Sequence, residues 1–445
     1  MELTTTHVWM MVCAALVLLM TPALAFFYGG MTRAKSVLNM IMMSFSAIAV
    51  VSLVWVLWGN SMAGGGANIG GLFGNPADGF GMGSLLGGDG LIAAGYGVTF
   101  AIITVALISG AIADRAKFGA WLLFVPIWVT LVYAPIAFWV WGGGILSSDG
   151  AIGSVVGEAI DFAGGTVVHI NAGVAGLVLA LILGKRRGFG KDPSHRPHNI
   201  PLVMLGAALL WFGWFGFNGG AASTAEEAGL IWINTLVAPS AALLGWIAVE
   251  RIRDGHSTSL GAASGIVAGL VAITPACANI SPIAAIGLGV IAGAVSALAV
   301  GLKYRWGYDD SLDVVGVHLV SGIIGTLALG FIALPTDGEG GGLFYGGGLK
   351  QLWAQLVACV LVMAFTAIMT AIIGLAIHKT IGFRISTEEE NAGIDLMQHA
   401  ETGYEFGGLG TGGTFVPHPA TSSHLKSATP VSENDTDQIK EEVSA

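Results

Sequence analysis

The chain has 445 residues, of which 54% are hydrophobic and only 10% charged, with a mean hydropathy of +0.77. Soluble domains carry about 25% charged residues, so this composition excludes an ordinary soluble protein and points to an all-α polytopic membrane protein in contact with a lipid bilayer. The net charge of −10 says little about partners because much of the acid lies in the tail, and no nucleic-acid partner is expected.

Apolar runs long enough to span a bilayer occur at 8–30, 37–59, 91–113, 119–141, 162–184, 200–219, 230–249, 258–276, 282–301, 312–334 and 351–378. These predict 11 transmembrane helices. The basic residues test the count. Arg33 and Lys35 follow the first run, Arg115 and Lys117 the third, and Lys185, Arg186, Arg187, Lys191 and Arg196 the fifth. Arg251 and Arg253 follow the seventh, Lys303 and Arg305 the ninth, and Lys379 and Arg384 the last. With Lys426 and Lys440 in the tail, all 18 Lys and Arg except Lys350 then fall on one side, the cytoplasm by the positive-inside rule. The N-terminus is expected outside and the C-terminus cytoplasmic. Met1 is followed by Glu2 with no basic region, so no cleaved signal peptide is expected.

Residues 1–378 are therefore read as a transmembrane domain and 379–445 as a cytoplasmic tail. The tail begins with the acidic run Glu388-Glu389-Glu390, a docking element or simply a solvated helix start. Its distal part, rich in Ser, Thr, Glu and Asp, is expected to be disordered. Cys13, Cys277 and Cys359 lie in or at the ends of apolar runs without metal-ligand spacing, and read as inert buried thiols.

Of the 10 histidines, two sit centrally in long apolar runs. His169 begins His-x-x-x-Gly-x-x-Gly with Gly173 and Gly176, and His318 begins the same pattern with Gly322 and Gly325. Asp161, eight residues before His169, lies about 12 Å away along a helix, so the imidazole is deep in hydrocarbon while the carboxylate is at its lip. The two histidine helices are five spans apart and run in opposite directions. Phe27-Tyr28-Gly29-Gly30 is echoed by Phe217-Asn218-Gly219-Gly220. An inverted repeat of five plus five helices follows, with halves about 1–199 and 200–334, and with the eleventh helix, 351–378, added. Such repeats place the functional site at the midplane.

An intramembrane ionisable residue is costly and by default functional. In a dry channel the imidazolium is disfavoured, so both rings are expected neutral, each with one donor and one acceptor nitrogen. Paired, they offer a polar thread to a small solute. A satisfied core pair locking two helices is the plain alternative. A metal site is a third, but no carboxylate or cysteine at matching depth completes a ligand set, so no metal and no cofactor is expected. A weak base fits such a thread: it is captured as a cation, then crosses neutral or with its proton handled separately. Potassium cannot shed its charge and meets the full desolvation barrier.

A cation trap would stand at the outer end, where Trp139, Trp141, Phe100, Trp214, Phe215 and Phe217 cluster. From spacing alone the tryptophans read more readily as interfacial anchors, and Phe100 and Phe217 as packing or a hydrophobic gate. Asp161 serves either as an N-cap or to concentrate cations, and Asp313 is the candidate cap of the tenth helix.

Pro22-Ala-Leu-Ala-Phe-Phe-Tyr-Gly-Gly-Met31, the run from Asp161 to Arg186, Trp211-Phe-Gly-Trp-Phe-Gly-Phe-Asn-Gly-Gly220 and Asp313-Val-Val-Gly-Val-His318 resemble the ammonium transporter (Amt/Mep/Rh) family. So does the tail, with Gly393-Ile-Asp395, His399-Ala-Glu401 and Tyr404. The resemblance covers all but the last forty or so residues and is that of a bacterial Amt-type member. It implies a homotrimer in the plasma membrane, with one pore per protomer. Ammonium, or methylammonium as analogue, would bind an outer site at Phe100, Trp141 and Ala221. Phe100 and Phe217 would form the gate, His169 and His318 the twin pore histidines, and Asp161 would support recruitment and deprotonation. Trp214, Tyr28 and Val314 would line the path. A cytoplasmic PII signal protein would be the partner of the tail. Ala221 stands where many relatives have Ser, which removes a hydroxyl acceptor for the cation, and Tyr96-Gly97 stands where they have Phe-Gln, so the outer site departs from the family pattern where the gate and the histidines do not. An ammonium sensor with low flux is the second functional reading. An enzyme is the third, and no nucleophile, metal set or cofactor motif supports it.

Overall fold

The computed structural model describes residues 2–191, 196–335 and 341–404. The expected disorder of the distal tail lies outside these residues. Backbone amides in lipid must be bonded within their own segment, and the apolar runs do form helices. They are α1 Thr5–Met31, α2 Val37–Gly59, α3 Gly90–Ile112, α4 Phe118–Trp141, α5 Gly165–Leu183, α6 Ile200–Gly219, α7 Ala225–Asp254, α8 Ser259–Ile273, α9 Pro282–Trp306, α10 Val315–Ile332 and α11 Lys350–Thr380. Among the described residues, 10 helices are long and apolar enough to cross a membrane. The exception is α8, with 15 residues. At 1.5 Å per residue it reaches only about 22 Å of a roughly 30 Å core. Pro275 stops it, and the turn that follows is used elsewhere, as described below.

The helices start where side chains can satisfy their first amides. Thr4 caps α1, with His7 completing a reciprocal pair; Thr224, Thr258 and Ser281 cap α7, α8 and α9. Helices α1 and α6 touch backbone to backbone. A methyl group on Gly216 would lie 2.7 Å from the Cys13 carbonyl oxygen and the Leu16 Cβ, so only glycine permits this approach. Between α2 and α3 a two-stranded hairpin pairs Asn68 with Gly74 and Ile69 with Phe73.

At the end of the bundle that carries the basic loops, charge is buried but paired. The Arg186 Nη1 donates to Asp114 at 2.9 Å and its Nη2 to Asp309 at 2.9 Å. Arg115 donates to the Ser311 hydroxyl and to the Asp309 carbonyl, both at 2.5 Å. Burial alone would push Asp114 and Asp309 up, but the Arg186 guanidinium beside both holds them below the usual carboxylate range. The loops after α3, α5 and α9 are thus locked together.

The described part of the chain up to Gly403 is one compact unit. Beyond α11 two short helices, α12 Thr387–Ala392 and α13 Ile394–His399, lie against the basic loops. Asp395 accepts from the amides of Leu38 and Asn39 at 3.0 and 2.8 Å and so caps α2 from the tail. Glu390, from the acidic run, accepts from the Arg187 amide at 2.7 Å and from Arg384 at 2.9 Å.

Candidate functional site

Two histidines meet in the centre. His169 and His318 are 1% and 2% exposed, and their Nδ1 atoms are 3.3 Å apart. One ring must donate and the other accept, so the pair shares a single proton along that line. Both rings sit on π turns, Gly165–Ile170 in α5 and Val315–Leu319 at the start of α10. Such turns leave carbonyls without their normal partner. In α5 the Asn171 amide donates to the Val167 carbonyl at 3.1 Å and supplies one.

The repeated glycine has a reciprocal use here. A Cβ on Gly173 would lie 2.6 Å from the Leu319 Cβ, and one on Gly322 would lie 3.0 Å from Ile170 and 3.4 Å from the His169 Cβ. Each histidine helix is therefore notched four residues past its own ring, and the other helix enters the notch. This is why the motif is His-x-x-x-Gly, twice.

Asp161 is committed to the start of α5. Its Oδ1 accepts from the amides of Gly164 and Gly165 at 2.9 and 2.5 Å, and its Oδ2 from those of Thr166 and Val167 at 2.8 and 3.2 Å and from the Thr166 hydroxyl. At α10 the equivalent group is not Asp313 but Asp310, which accepts from the amides of Val314 and Val315 at 3.1 and 2.7 Å. Asp313 has a φ of 64° and pairs instead with Lys303 at 2.7 Å. The first amides of α10 are thus bonded to Asp310, and the Asp313 side chain does not cap the helix. Sequence reading missed Asp310, although it stands eight residues before His318 just as Asp161 stands before His169.

Aromatic rings stack on one side of the histidines. Trp214 lies over His169 with ring centres 5.5 Å apart and 18° between planes, and donates its indole N–H to the Thr274 hydroxyl at 2.8 Å, in the turn that ends α8. Phe217 is 6.0 Å from His169, and Phe100 stacks on Phe217 at 4.3 Å. Trp141 meets Phe100 edge-on at 6.0 Å. Beyond this stack a cavity of about 500 Å³ is lined by Trp55, Tyr96, Phe100, Tyr133, Trp141 and Ala221 among others. The family position held by Tyr96 does a local job: its hydroxyl donates to the Phe217 carbonyl at 2.7 Å while its ring meets Phe100 edge-on at 4.8 Å. At Gly97 an added Cβ would come within 3.0 Å of the Trp55 indole.

The sequence-predicted residues thus separate into groups. His169, His318, Trp214, Phe217, Phe100 and Trp141 form one contiguous column. Ala221 joins Phe100 and Trp141 on the cavity wall. Trp139 does not join them: it is 5% exposed, packs on Phe365 at 4.6 Å and donates to the Leu72 carbonyl. Tyr28 and Val314 lie toward the basic end. Tyr28 donates to the Leu107 carbonyl at 3.1 Å, and Val314 is buried against the Gly176 side of α5.

The model of the Ammonium Transporter Family matches residues 8–404. The chain belongs to the Ammonium Transporter Family. A protein of Mycobacterium tuberculosis H37Rv named Ammonium transporter is 52% identical over 429 residues, covering 89% of this chain and 90% of that protein. The crystal structure of Candida albicans Mep2 superposes with a TM-score of 0.78 at 32% identity, over 86% of this chain and 87% of that one. A solved protein named Sensor Amt Protein superposes with a TM-score of 0.81 at 26% identity, over 88% of this chain and 98% of that one. As a family member with, among the described residues, ten helices long and apolar enough to cross a membrane, the chain is a multi-pass membrane protein. The histidine column lies within the matched region.

Proposed function

We propose that this chain is an ammonium transporter of the plasma membrane that takes ammonium from the cavity at Phe100, Trp141 and Ala221 and conducts ammonia or ammonium past His169 and His318 into the cytoplasm. The observation that carries this reading is the histidine pair. Two buried imidazoles share one contact at 3.3 Å, and among the described residues the His169 Nε2 is buried without a hydrogen-bond partner. A buried polar atom left unpaired is costly, and a passing amine would satisfy it.

The remaining parts have roles in sequence. The indole of Trp141 and the edge of the cavity attract a small cation by its charge on the ring faces. Ala221 offers no hydroxyl, so ring faces supply most of the hold. Phe100 and Phe217, stacked, close the path between cavity and histidines and must part for each passage. Trp214 forms a wall beside His169, and Tyr28 and Val314 line the exit toward the basic end. Asp161 acts through the helix start it organises. The path is too apolar for an ion that keeps its charge.

The fold we propose has eleven membrane helices, with α8 counted despite its length, in two inverted halves of about 1–199 and 200–334, and α11 outside them. Three parallels support this: Asp161 and Asp310 each eight residues before a histidine, a π turn in each histidine helix, and close packing of α1 on α6, the first helices of each half. The side on which the basic loops lie supports a cytoplasmic C-terminus and an N-terminus outside. The region to 378 acts as the transporter domain and 379–445 as a regulatory tail. We further propose a homotrimer, and a PII signal protein as partner of the tail. A sensor with low flux is the second reading, favoured by the likeness to Sensor Amt Protein. No enzymatic activity is proposed.

Reconstituted into liposomes, the chain should take up methylammonium, with simultaneous current recording to show whether charge moves. A protein that binds ammonium but gives no flux above empty vesicles would favour the sensor.

A further inference from the structure

The column of rings uses α5, α10 and the walls of the cavity, and leaves α11 as an outer helix. Yet α11 buries three polar side chains completely: Gln355, Thr366 and Thr370 are each 0% exposed. Polar groups at such positions are costly unless bonded, and what they bond is informative.

Apart from one bond that its Oε1 accepts from the Gln351 side-chain amide at 3.1 Å, Gln355 spends its amide on backbone. Its Oε1 accepts from the Ile160 N–H at 2.7 Å, and its Nε2 donates to the Ile160 carbonyl at 2.8 Å and to the Thr326 carbonyl of α10 at 3.0 Å. A side-chain amide paired with both the N–H and the C=O of one residue fixes both its place and its orientation. That residue immediately precedes Asp161. The same short segment is gripped from two other helix ends. Trp141 donates to the Asp161 carbonyl at 2.8 Å, and the Phe162 amide donates to the Pro275 carbonyl at 3.2 Å. The Asp161 carboxylate in turn holds the first turn of α5.

Further along α11, the Thr366 hydroxyl donates to the Asn171 side-chain oxygen Oδ1 at 2.9 Å. Asn171 is the residue whose amide fills the open Val167 carbonyl of the π turn. Helix α11 therefore grips the chain on both sides of His169, before it through residue 160 in the segment that leads into α5 and after it through residue 171 in α5. Thr370 accepts from the Trp128 indole at 2.9 Å and anchors the same face to α4.

We propose that Gln355 and Thr366 are positioning residues that set the depth and rotation of the His169 ring relative to His318 and the Phe217 ring. Helix α11 is thereby a clamp on the conducting column, not a spectator. The inference rests on the transport reading of the histidine pair. It differs from simple packing in what it predicts: the grip acts through the same segment as Asp161, so its loss is coupled to the loss of that carboxylate.

The test uses the full chain in liposomes with radiolabelled methylammonium, comparing wild type with Gln355→Leu, Gln355→Glu, Thr366→Val, Thr366→Ser and Asp161→Asn, and with Gln355→Leu combined with Asp161→Asn. Expected is a fall in maximal rate of about tenfold for Gln355→Leu, with apparent KM changing by less than about twofold. Gln355→Glu keeps an acceptor but loses both donors and should fall nearly as far. Thr366→Ser should keep the wild-type rate and Thr366→Val should not. On the Asp161→Asn background, Gln355→Leu should cost much less than alone. Independent, multiplying losses from Gln355→Leu and Asp161→Asn would overturn the clamp, as would a wild-type rate in a monodisperse Gln355→Leu. If Gln355→Leu does not fold, the Thr366 pair decides: equal rates for Val and Ser at unchanged melting midpoint overturn it. A wild-type chain with no uptake removes the transport reading and the clamp with it, whereas wild-type uptake with insensitive variants removes the clamp alone.

Discussion

Asp161→Asn separates two roles for one carboxylate. Five donors converge on it: four backbone amides and the Thr166 hydroxyl. An asparagine keeps the shape but only one acceptor oxygen. Whichever way its amide turns, two backbone N–H groups face an NH2 group and lose their partner, while the hydroxyl can reverse. Each buried donor left open costs about 1–3 kcal/mol, so the expected loss is about 2–6 kcal/mol. Thermal unfolding in detergent should show a midpoint lower by about 2–6 °C, and flux in liposomes should fall together with it, because the helix that carries His169 loses its first turn. A variant that melts like wild type but transports nothing would refute this reasoning. The carboxylate would then be acting on the passing cation and not on the helix.

Trp141→Leu removes a ring face from the cavity and the bond to the Asp161 carbonyl; apparent affinity for ammonium in a flux assay should weaken by about 2–30-fold, from a cation–π contribution of about 0.5–2 kcal/mol. Ala221→Ser restores a hydroxyl acceptor to the cavity wall, and apparent affinity should tighten by about 2–10-fold. His169→Ala should cut methylammonium uptake by about tenfold or admit potassium, and unchanged uptake and selectivity would exclude the ring from the path. Arg186→Gln removes the guanidinium that bridges Asp114 and Asp309, leaving Asp114 with Arg33 at 3.6 Å, and should destabilise the protein by about 3–5 kcal/mol, read as a lower melting midpoint. The same lock sets an acid limit. Both carboxyls are held low in the folded chain, so their contribution is complete above the unfolded carboxylate value of about 3.9 and is lost as pH falls through the lower folded values.

The membrane class, the positions of the helices and the histidine pair were readable because each rests on local pattern: apolar length, the side on which Lys and Arg fall, and a motif that occurs twice. The column of Phe100, Phe217 and Trp214 followed from resemblance to a family, since aromatic spacing alone does not distinguish a gate from packing or an anchor. Trp139 illustrates the difficulty. Two residues from Trp141, it turns inward to Phe365 and the Leu72 carbonyl instead of facing the cavity. The assignment of Asp313 as a cap went astray on backbone geometry, because a positive φ is invisible in composition, while the eight-residue spacing that identifies Asp310 was present and unread. Helix α8 was expected to run three residues further at its end than it does, since hydropathy continues through Pro275 but the helix cannot. Gln355 carried no signal beyond being an amide in an apolar run; its meaning lies in a partner 195 residues away.

The mutual notching of α5 and α10 has a consequence for how such a centre can change over generations. The backbone beside each imidazole is seated in a notch left by a glycine on the opposite helix, so neither half can drift without the other. Filling Gly173 would wedge Leu319 outward and carry His318 with it, and filling Gly322 would do the mirror-image harm to His169. The most accessible variants are therefore those that keep both notches and exchange only the chemistry of a ring.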